Sequence, residues 1–295
     1  MHFDWSFFGH LLFHPPGSFV AGAAKTIYLS IIAQALGVAL GLVLALWRRS
    51  RQLPLRVFAS GYIWLVRGTP LLVQAVIIYD GSSALGLYSF RTLSIGVISI
   101  PGVVQAGIVT LALNEGAYMA EIMRAAIDSV DRGQTEAAES LGMRRRQAMR
   151  HVVLPQAMRV VIPPLGNEFN NMLKVTSLLS VIGLQELFLA AQDYNSTTFR
   201  TFEIFLVAAI YYIIMTTLWS FIQAAIERRL QARGGDPVQS VPLRQRLFGG
   251  GLGGAGQPLR GAAGEPLRGA AGEPLRGAAG EPLRGAAGEP LRGAR

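Results

Sequence analysis

Long apolar runs along the chain predict five membrane-spanning helices. The runs extend over about Ala21 to Trp47, Val57 to Tyr79, Leu93 to Met123, Val160 to Leu189, and Ile204 to Ala225. Stretches of about 20 apolar residues match the hydrocarbon core of a bilayer and are rare in soluble folds. The second run is interrupted at Gly68 and Pro70, and Pro101 separates a short lead-in from the main helix of the third. The pattern predicts an all-α polytopic membrane protein.

The positive charges between these runs predict the orientation of the chain. Arginines cluster after the first, third and fifth runs: Arg48, Arg49, Arg51 and Arg56; Arg124, Arg132, Arg144, Arg145, Arg146 and Arg150; Arg228, Arg229 and Arg233. The other loops carry only Arg91 and Arg200. Because basic loops stay in the cytoplasm, an odd number of spans places the N-terminus outside and the C-terminus inside.

The two ends of the chain differ from its apolar middle. The first 20 residues contain Asp4, Pro15 and Pro16 and are not typical of a cleavable signal peptide. They are interpreted as either an interfacial segment or a disordered terminus. From residue 231 onward the chain becomes a low-complexity tail with GEPLRGAA repeats, predicted to be disordered in the cytoplasm because it offers little apolar surface to bury. The predicted domains are therefore 1–20, a transmembrane domain at 21–230, and the tail at 231–295.

Composition narrows the function classes. Of 295 residues, 51% are hydrophobic and 15% are charged, against about 25% charged in soluble domains. The net charge is +9, and the part before Gly234 has a basic excess made almost entirely of arginines between apolar runs, which is typical of membrane loops and argues against a nucleic-acid partner. The absence of cysteine excludes thiol chemistry, and the four histidines are scattered without the spacing of metal ligands, so no metal site is expected.

One cytoplasmic loop carries the pattern Glu136-Ala137-Ala138, three residues, Gly142, nine residues, and then Val152-Val153-Leu154-Pro155. This resembles the EAA loop of bacterial ABC-importer permeases, with Val152 replacing the usual isoleucine. The segments RGTPLLVQ from Arg67, GAYMAEIMRAAI from Gly116 and NNMLKVTSLLSVIGLQEL from Asn170 resemble the polar amino acid branch of that family. The resemblance covers roughly Gly22 to Arg229.

The resemblance implies that a short cytoplasmic helix docks on an ATPase. The residues expected to couple the two proteins are Glu136, Ala137, Ala138, Gly142, Leu154 and Pro155. Thr135 with Glu139 is predicted to frame the start of this coupling helix, and Gly142 to permit a sharp turn at its end. An ordinary amphipathic cytoplasmic helix is the alternative interpretation of the loop taken alone.

An energy source within the chain is not expected. The phosphate-binding pattern G-x-x-x-x-G-K-[ST] does not occur, since the chain's two lysines, Lys25 and Lys174, follow Ala24 and Leu173. The resemblance therefore implies a transport subunit that is not an enzyme and holds no cofactor, with ATP and Mg²⁺ bound by a separate cytoplasmic ATPase dimer. It also implies a second permease subunit, identical or paralogous, an extracytoplasmic solute-binding protein, and a place in the bacterial inner membrane.

Polar side chains inside apolar spans are costly and are therefore candidates for a solute path. They are Arg67, Thr69, Asn114, Glu115, Glu121, Glu168, Asn170, Lys174, Thr176, Ser177 and Gln185. Several have alternative roles: Glu121 pairing with Arg124, Lys174 neutralising a carboxylate, and Thr176 and Ser177 bonding their own helix backbone.

The functional hypothesis is an ATP-driven importer subunit that moves a polar amino acid by alternating access. Val175 beside Lys174 weakly disfavours a cationic solute. An opine or amino-acid derivative is an alternative solute. A passive channel leaves the EAA loop unexplained, and a membrane-embedded enzyme lacks a nucleophile or metal cluster within the spans. The spacing of Gly37 and Gly41 favours helix packing.

Overall fold

The structure is a computed structural model that describes residues 3–96 and 98–232. The predicted repeat tail lies outside the described residues. Within them the chain forms eleven α-helices and one β-hairpin: α1 Trp5–Phe13, α2 Gly17–Arg48, α3 Leu53–Arg67, α4 Leu71–Val76, α5 Ser82–Ala84, β1 Leu93–Ile95, β2 Ile98–Ile100, α6 Gly102–Asp128, α7 Arg132–Ser140, α8 Arg145–Ala148, α9 Leu154–Val175, α10 Leu187–Thr198 and α11 Thr201–Ala232.

Near the start of the described chain, Trp5–Phe13 form helix α1. Asp4 caps α1 by accepting the Phe7 amide N–H at 2.9 Å, and it pairs with Arg200. Leu11 is buried in an apolar cluster formed by α1, α2, α10 and α11. Helix α2 then begins at Gly17, four residues before the predicted boundary, because Pro16 starts a new helix.

Helices α2 and α6 form the centre of the fold and approach each other closely at small residues. An added Cβ at Gly37 would lie 2.5 Å from Glu115 Cγ, and one at Gly41 would overlap Met119. Any larger side chain at these positions would separate the two backbones. The prediction that this glycine pair serves helix packing is confirmed.

Two of the predicted spans are broken. Helices α3 and α4 are bent by 108° at the Gly68–Pro70 break, which agrees with the predicted interruption. The expected fourth span is instead α9, a 3₁₀ segment at Thr176–Ile182, and α10, with a bend of 51°. Gly183 is left-handed at a φ of 78°, and Glu186 then caps α10. The long apolar run concealed this break because both pieces are apolar.

Pro101 precedes α6, as predicted, and the lead-in before it is the hairpin of β1 and β2. The two strands are antiparallel, with Leu93 opposite Ile100. Helix α6 itself is covered mainly by other helices, and 15 of its 27 residues are buried.

Among the described residues, two helices are long and apolar enough to cross a membrane, Gly17–Arg48 and Thr201–Leu230. The number rises to four if each bent pair forms one span. Helix α6 is not among them, since Gln105, Asn114 and Glu115 reduce its mean hydropathy. The count of five spans stays a prediction.

Candidate functional site

A polar cavity of about 490 Å³ lies where the α3–α4 break faces the middle of α6 and α9. Its polar lining is Arg67, Thr69, Asn114, Glu115, Tyr118, Glu168 and Asn171. The apolar part of the lining includes Leu111, Met172 and Val175. Five of the predicted solute-path residues therefore come together here: Arg67, Thr69, Asn114, Glu115 and Glu168.

The helix break itself forms one wall of the cavity. Gly68 ends α3, and Pro70, which has no amide N–H, begins α4. Two carbonyls freed by the break do not stay open: the Gln74 side-chain amide donates to Val66 O at 2.7 Å and to Thr69 O at 3.0 Å. The Gln74 side chain, on α4, thus stabilises the break by hydrogen bonding to its free carbonyls.

Two helices supply the opposite walls through regular spacing. Asn114, Glu115 and Tyr118 lie at intervals of one and three residues on one face of α6. On α9, Glu168, Asn171 and Val175 are separated by three and four residues. Asn171 is another polar residue of the fourth predicted span, and its spacing from Glu168 places the two on one face.

The cavity combines charges of both signs. The Arg67 guanidinium carbon lies 5.3 Å from the centre of the Tyr118 ring, a cation–π contact that orients it. Glu115 is only 4% exposed and accepts the Gln34 amide at 2.9 Å. Glu168 is half-buried on the facing helix. A guanidinium beside two carboxylates and two amides is suited to binding a small zwitterion.

Glu121 lies outside this cavity. It pairs with Arg48 and Arg124, and Arg124 also pairs with Asp128, so Glu121 belongs to an ionic cluster that joins the ends of α2 and α6. Asn114 and Glu121 share a helical face as predicted, but seven residues separate them by about 10 Å along the axis.

The other predicted residues also lie outside the cavity lining. Asn170 donates to Ser220 on α11 at 3.3 Å. Thr176 and Ser177 bond the carbonyls of Leu173 and Lys174, which is the alternative role stated for them. The Lys174 side chain is exposed, and Gln185 bonds Asp193.

The predicted coupling helix is α7, although it starts earlier than expected. Asp131 is its N-cap and accepts the Gly133 amide at 2.6 Å, so the start framed by Thr135 and Glu139 is wrong. Asp131 is the N-cap because it lies directly before the first turn of α7, whereas Thr135 is already inside the helix.

The end of α7 agrees with the prediction. Gly142 adopts a φ of 83°, and its amide donates to Glu139 O at 2.9 Å while the Met143 amide donates to Ala138 O at 3.1 Å. This pair of bonds is a Schellman motif, which ends a helix sharply and requires a left-handed residue.

The surface of α7 is divided into a packed and an open side. Ala138 is buried against the protein, whereas Glu136, Ala137 and Gly142 are exposed. Leu141 is a large apolar side chain that is 82% exposed, and no role was predicted for it. Further along, Leu154 begins α9 and is half-buried, with Pro155 exposed beside it.

Apolar helices around a charged, half-enclosed cavity, with a short polar helix between α6 and α9, are typical of the membrane subunit of a transporter. The chain belongs to the family of binding-protein-dependent transport system inner membrane components, which it matches over residues 37–232. It is accordingly a bacterial inner-membrane permease subunit.

Two similar sequences support this assignment. The chain is 38% identical over 220 residues to a putative glutamine transport system permease protein GlnP of Rickettsia typhi, covering 74% of this chain and 95% of the relative. It is 36% identical over 231 residues to the glutamine transport system permease protein GlnP of Escherichia coli K12, covering 78% and 99%.

Among solved structures, the chain resembles the crystal structure of an amino acid ABC transporter with histidines, with 41% identity and a TM-score of 0.68. That likeness covers 78% of this chain and 100% of the other. An inward-facing structure of the MetNI methionine ABC transporter matches with 18% identity and a TM-score of 0.59, covering 72% and 96%, and shares the fold.

Proposed function

We propose that the chain is the solute-conducting subunit of an ATP-driven importer that carries a polar amino acid. The observation that carries this proposal is the cavity at the α3–α4 break, where one guanidinium and two carboxylates meet midway along α6. The relatives named as glutamine permeases support the same solute class.

In this cavity, Arg67 pairs with the solute carboxylate because a guanidinium binds carboxylates with two parallel hydrogen bonds. Glu115 and Glu168 accept the solute ammonium from the facing helices. The two asparagines, Asn114 and Asn171, are left to contact a polar side chain, while Val175 provides no charge that would attract a cationic one. A neutral polar amino acid therefore matches the cavity best.

Transport requires partners that the chain does not supply. A cytoplasmic ATPase dimer that binds ATP and Mg²⁺ docks on the exposed side of α7, where Leu141 provides apolar surface and Glu136 provides charge. A second permease subunit, identical or paralogous, completes the path, and an extracytoplasmic binding protein delivers the solute. With the N-terminus outside and the C-terminus inside, α7 lies on the cytoplasmic side, and this chain itself hydrolyses no ATP.

The solute path is tested by uptake of labelled amino acids into cells that express the complete transporter. Glu168→Gln and Arg67→Gln are each expected to lower initial uptake by more than tenfold at normal membrane abundance, because each removes a charge from the cavity. Asp80→Asn is the matched control, since Asp80 is exposed and lies outside the cavity. Near-normal uptake in both cavity variants would contradict the proposal.

The ATPase contact is tested separately by co-purification. Leu141→Asp places a carboxylate on the apolar end of α7 and is expected to abolish recovery of the ATPase while the protein still inserts. Leu87→Asp is the control, because Leu87 is also a strongly exposed leucine, at 76%, but lies far from α7 in the chain. Equal recovery of the ATPase with wild type and Leu141→Asp would refute this docking surface.

A further inference from the structure

The Gln74 carboxamide has four polar partners. Its Nε2 carries two N–H groups, shared among Val66 O at 2.7 Å, Thr69 O at 3.0 Å and Thr69 Oγ1 at 2.8 Å. Its Oε1 accepts Asn114 Nδ2 at 3.0 Å. Gln74 therefore connects the helix break to a residue of the opposite cavity wall.

The orientation of this carboxamide follows from its neighbours. Backbone carbonyls only accept hydrogen bonds, so the end of Gln74 that faces Val66 O and Thr69 O has to be the NH₂ group. The other end is then the oxygen. Because that oxygen can only accept, Asn114 has to present its own NH₂ group to Gln74.

We propose that Gln74 is a positioning residue that leaves the Asn114 carboxamide oxygen as the group offered to the solute, so that the path prefers side chains that donate N–H groups. The described residues provide no donor to Asn114 Oδ1, and Asn114 lines the cavity. Together with Glu115 and Glu168, Asn114 then gives the walls opposite Arg67 three side chains that present acceptor oxygens. This inference rests on the proposed function and adds the means of solute selection.

The consequence is a preference between two solutes of the same shape. A side-chain carboxamide, as in glutamine, donates an N–H to Asn114 Oδ1. A side-chain carboxylate, as in glutamate, has only acceptor oxygens. Such an oxygen makes no hydrogen bond with Asn114 Oδ1 and is repelled by it. One neutral hydrogen bond of ordinary strength corresponds to about a fivefold change in preference.

Three variants test this role in the complete transporter, with kcat and KM measured for labelled L-glutamine and L-glutamate. Gln74→Met removes the acceptor and frees the Asn114 amide to turn, so the ratio of kcat/KM for glutamine over glutamate is expected to fall at least fivefold. Asn114→Leu removes the carboxamide oxygen itself and is likewise expected to lower that ratio at least fivefold, because the cavity then offers no acceptor at this position. Rates are normalised to inserted protein.

Gln105→Met is the matched control for the loss of a glutamine that donates to backbone carbonyls. Gln105 also donates to two backbone carbonyls, Arg91 O at 2.7 Å and Ile100 O at 3.0 Å, but it lies outside the cavity. A purely structural role for Gln74 predicts that Gln74→Met and Gln105→Met lower uptake of both solutes alike and leave their ratio unchanged.

The outcomes separate this inference from the proposed function. If wild type imports glutamine and the ratio is unchanged in Gln74→Met, positioning is refuted while the importer assignment stands. If Gln74→Met does not insert, an unchanged ratio in Asn114→Leu overturns the inference. If wild type imports no amino acid with normal ATPase present, the proposed function fails and the inference fails with it.

Discussion

The turn after α7 offers a direct measure of how backbone conformation contributes to coupling. Gly142 holds a φ of 83°, and an ideal Cβ built there meets nothing within 4 Å. Replacement by alanine therefore costs only the left-handed backbone conformation, about 1–2 kcal/mol for an ordinary L-residue. A cost of that size lowers the population of a local structure by about 5- to 30-fold.

The matched series is alanine, asparagine and aspartate at position 142. Asparagine tolerates the left-handed region better than alanine, so Gly142→Asn is expected to retain more activity than Gly142→Ala. Gly142→Asp has the shape of asparagine but adds a carboxylate at the proposed ATPase-docking surface, and it is expected to be the most defective of the three.

The assay is solute-stimulated ATP hydrolysis and uptake in vesicles that contain the reconstituted transporter and its binding protein. Expected activity falls in the order glycine, asparagine, alanine, aspartate, with insertion unchanged. Wild-type activity in the alanine variant would refute the need for the left-handed turn. Equal loss in the alanine and asparagine variants would show that strain is not the cause.

Three further predictions concern contacts outside the cavity. Glu121→Gln removes an ionic partner of Arg124, so thermal stability is expected to fall by about 1 kcal/mol while the solute KM stays within twofold. Glu186→Leu leaves three donors without their acceptor and is expected to reduce stability by several kcal/mol, with Glu186→Gln milder, as measured by thermal unfolding. The Phe7 amide and Arg200 hold the Asp4 pKa below its ordinary 3.8, so the protection of α1 against hydrogen exchange is expected to be present above that pH and lost as pH falls through the lower value.

Each of these predictions has an internal comparison. A raised solute KM in Glu121→Gln would return that residue to the solute path. Equal stability of the leucine and glutamine variants at position 186 would show that hydrogen bonds do not hold the start of α10. For Asp4, the Arg200→Gln variant is expected to weaken α1 protection already at neutral pH, and unchanged protection in it would exclude the ion pair as a contributor.

Local features were predictable because they depend on neighbouring residues. Gly68 and Pro70 interrupt a helix through their own backbone properties, and the expected break is present. Gly142 after the alanine pair indicated a sharp helix end, and the Schellman motif is there. The start of α7 was missed because two capping candidates, Asp131 and Thr135, are close in sequence and only the path of the preceding turn decides between them.

The cavity was predictable only in part. The rarity of polar groups in apolar spans identified Arg67, Asn114 and Glu115 as candidates. That criterion does not show which of the polar side chains lie close together in the folded protein. It therefore placed Glu121 in the same set, although Glu121 lies in the ionic cluster with Arg48. Gln74 was passed over because it was taken as part of a motif and no role was assigned to its side chain.

The sequence by itself determined the membrane class, the family, the broken helix and the sharp turn at Gly142, since composition, motif spacing and backbone preference are properties of short segments. The tertiary structure alone decided which polar faces meet. Glu186 bonds Thr26, 160 residues earlier in the chain, and Asn114 bonds Gln74 across the cavity. Such pairs depend on the rotation and register of packed helices, and these are set by side-chain interlocking over the whole bundle rather than by any local period.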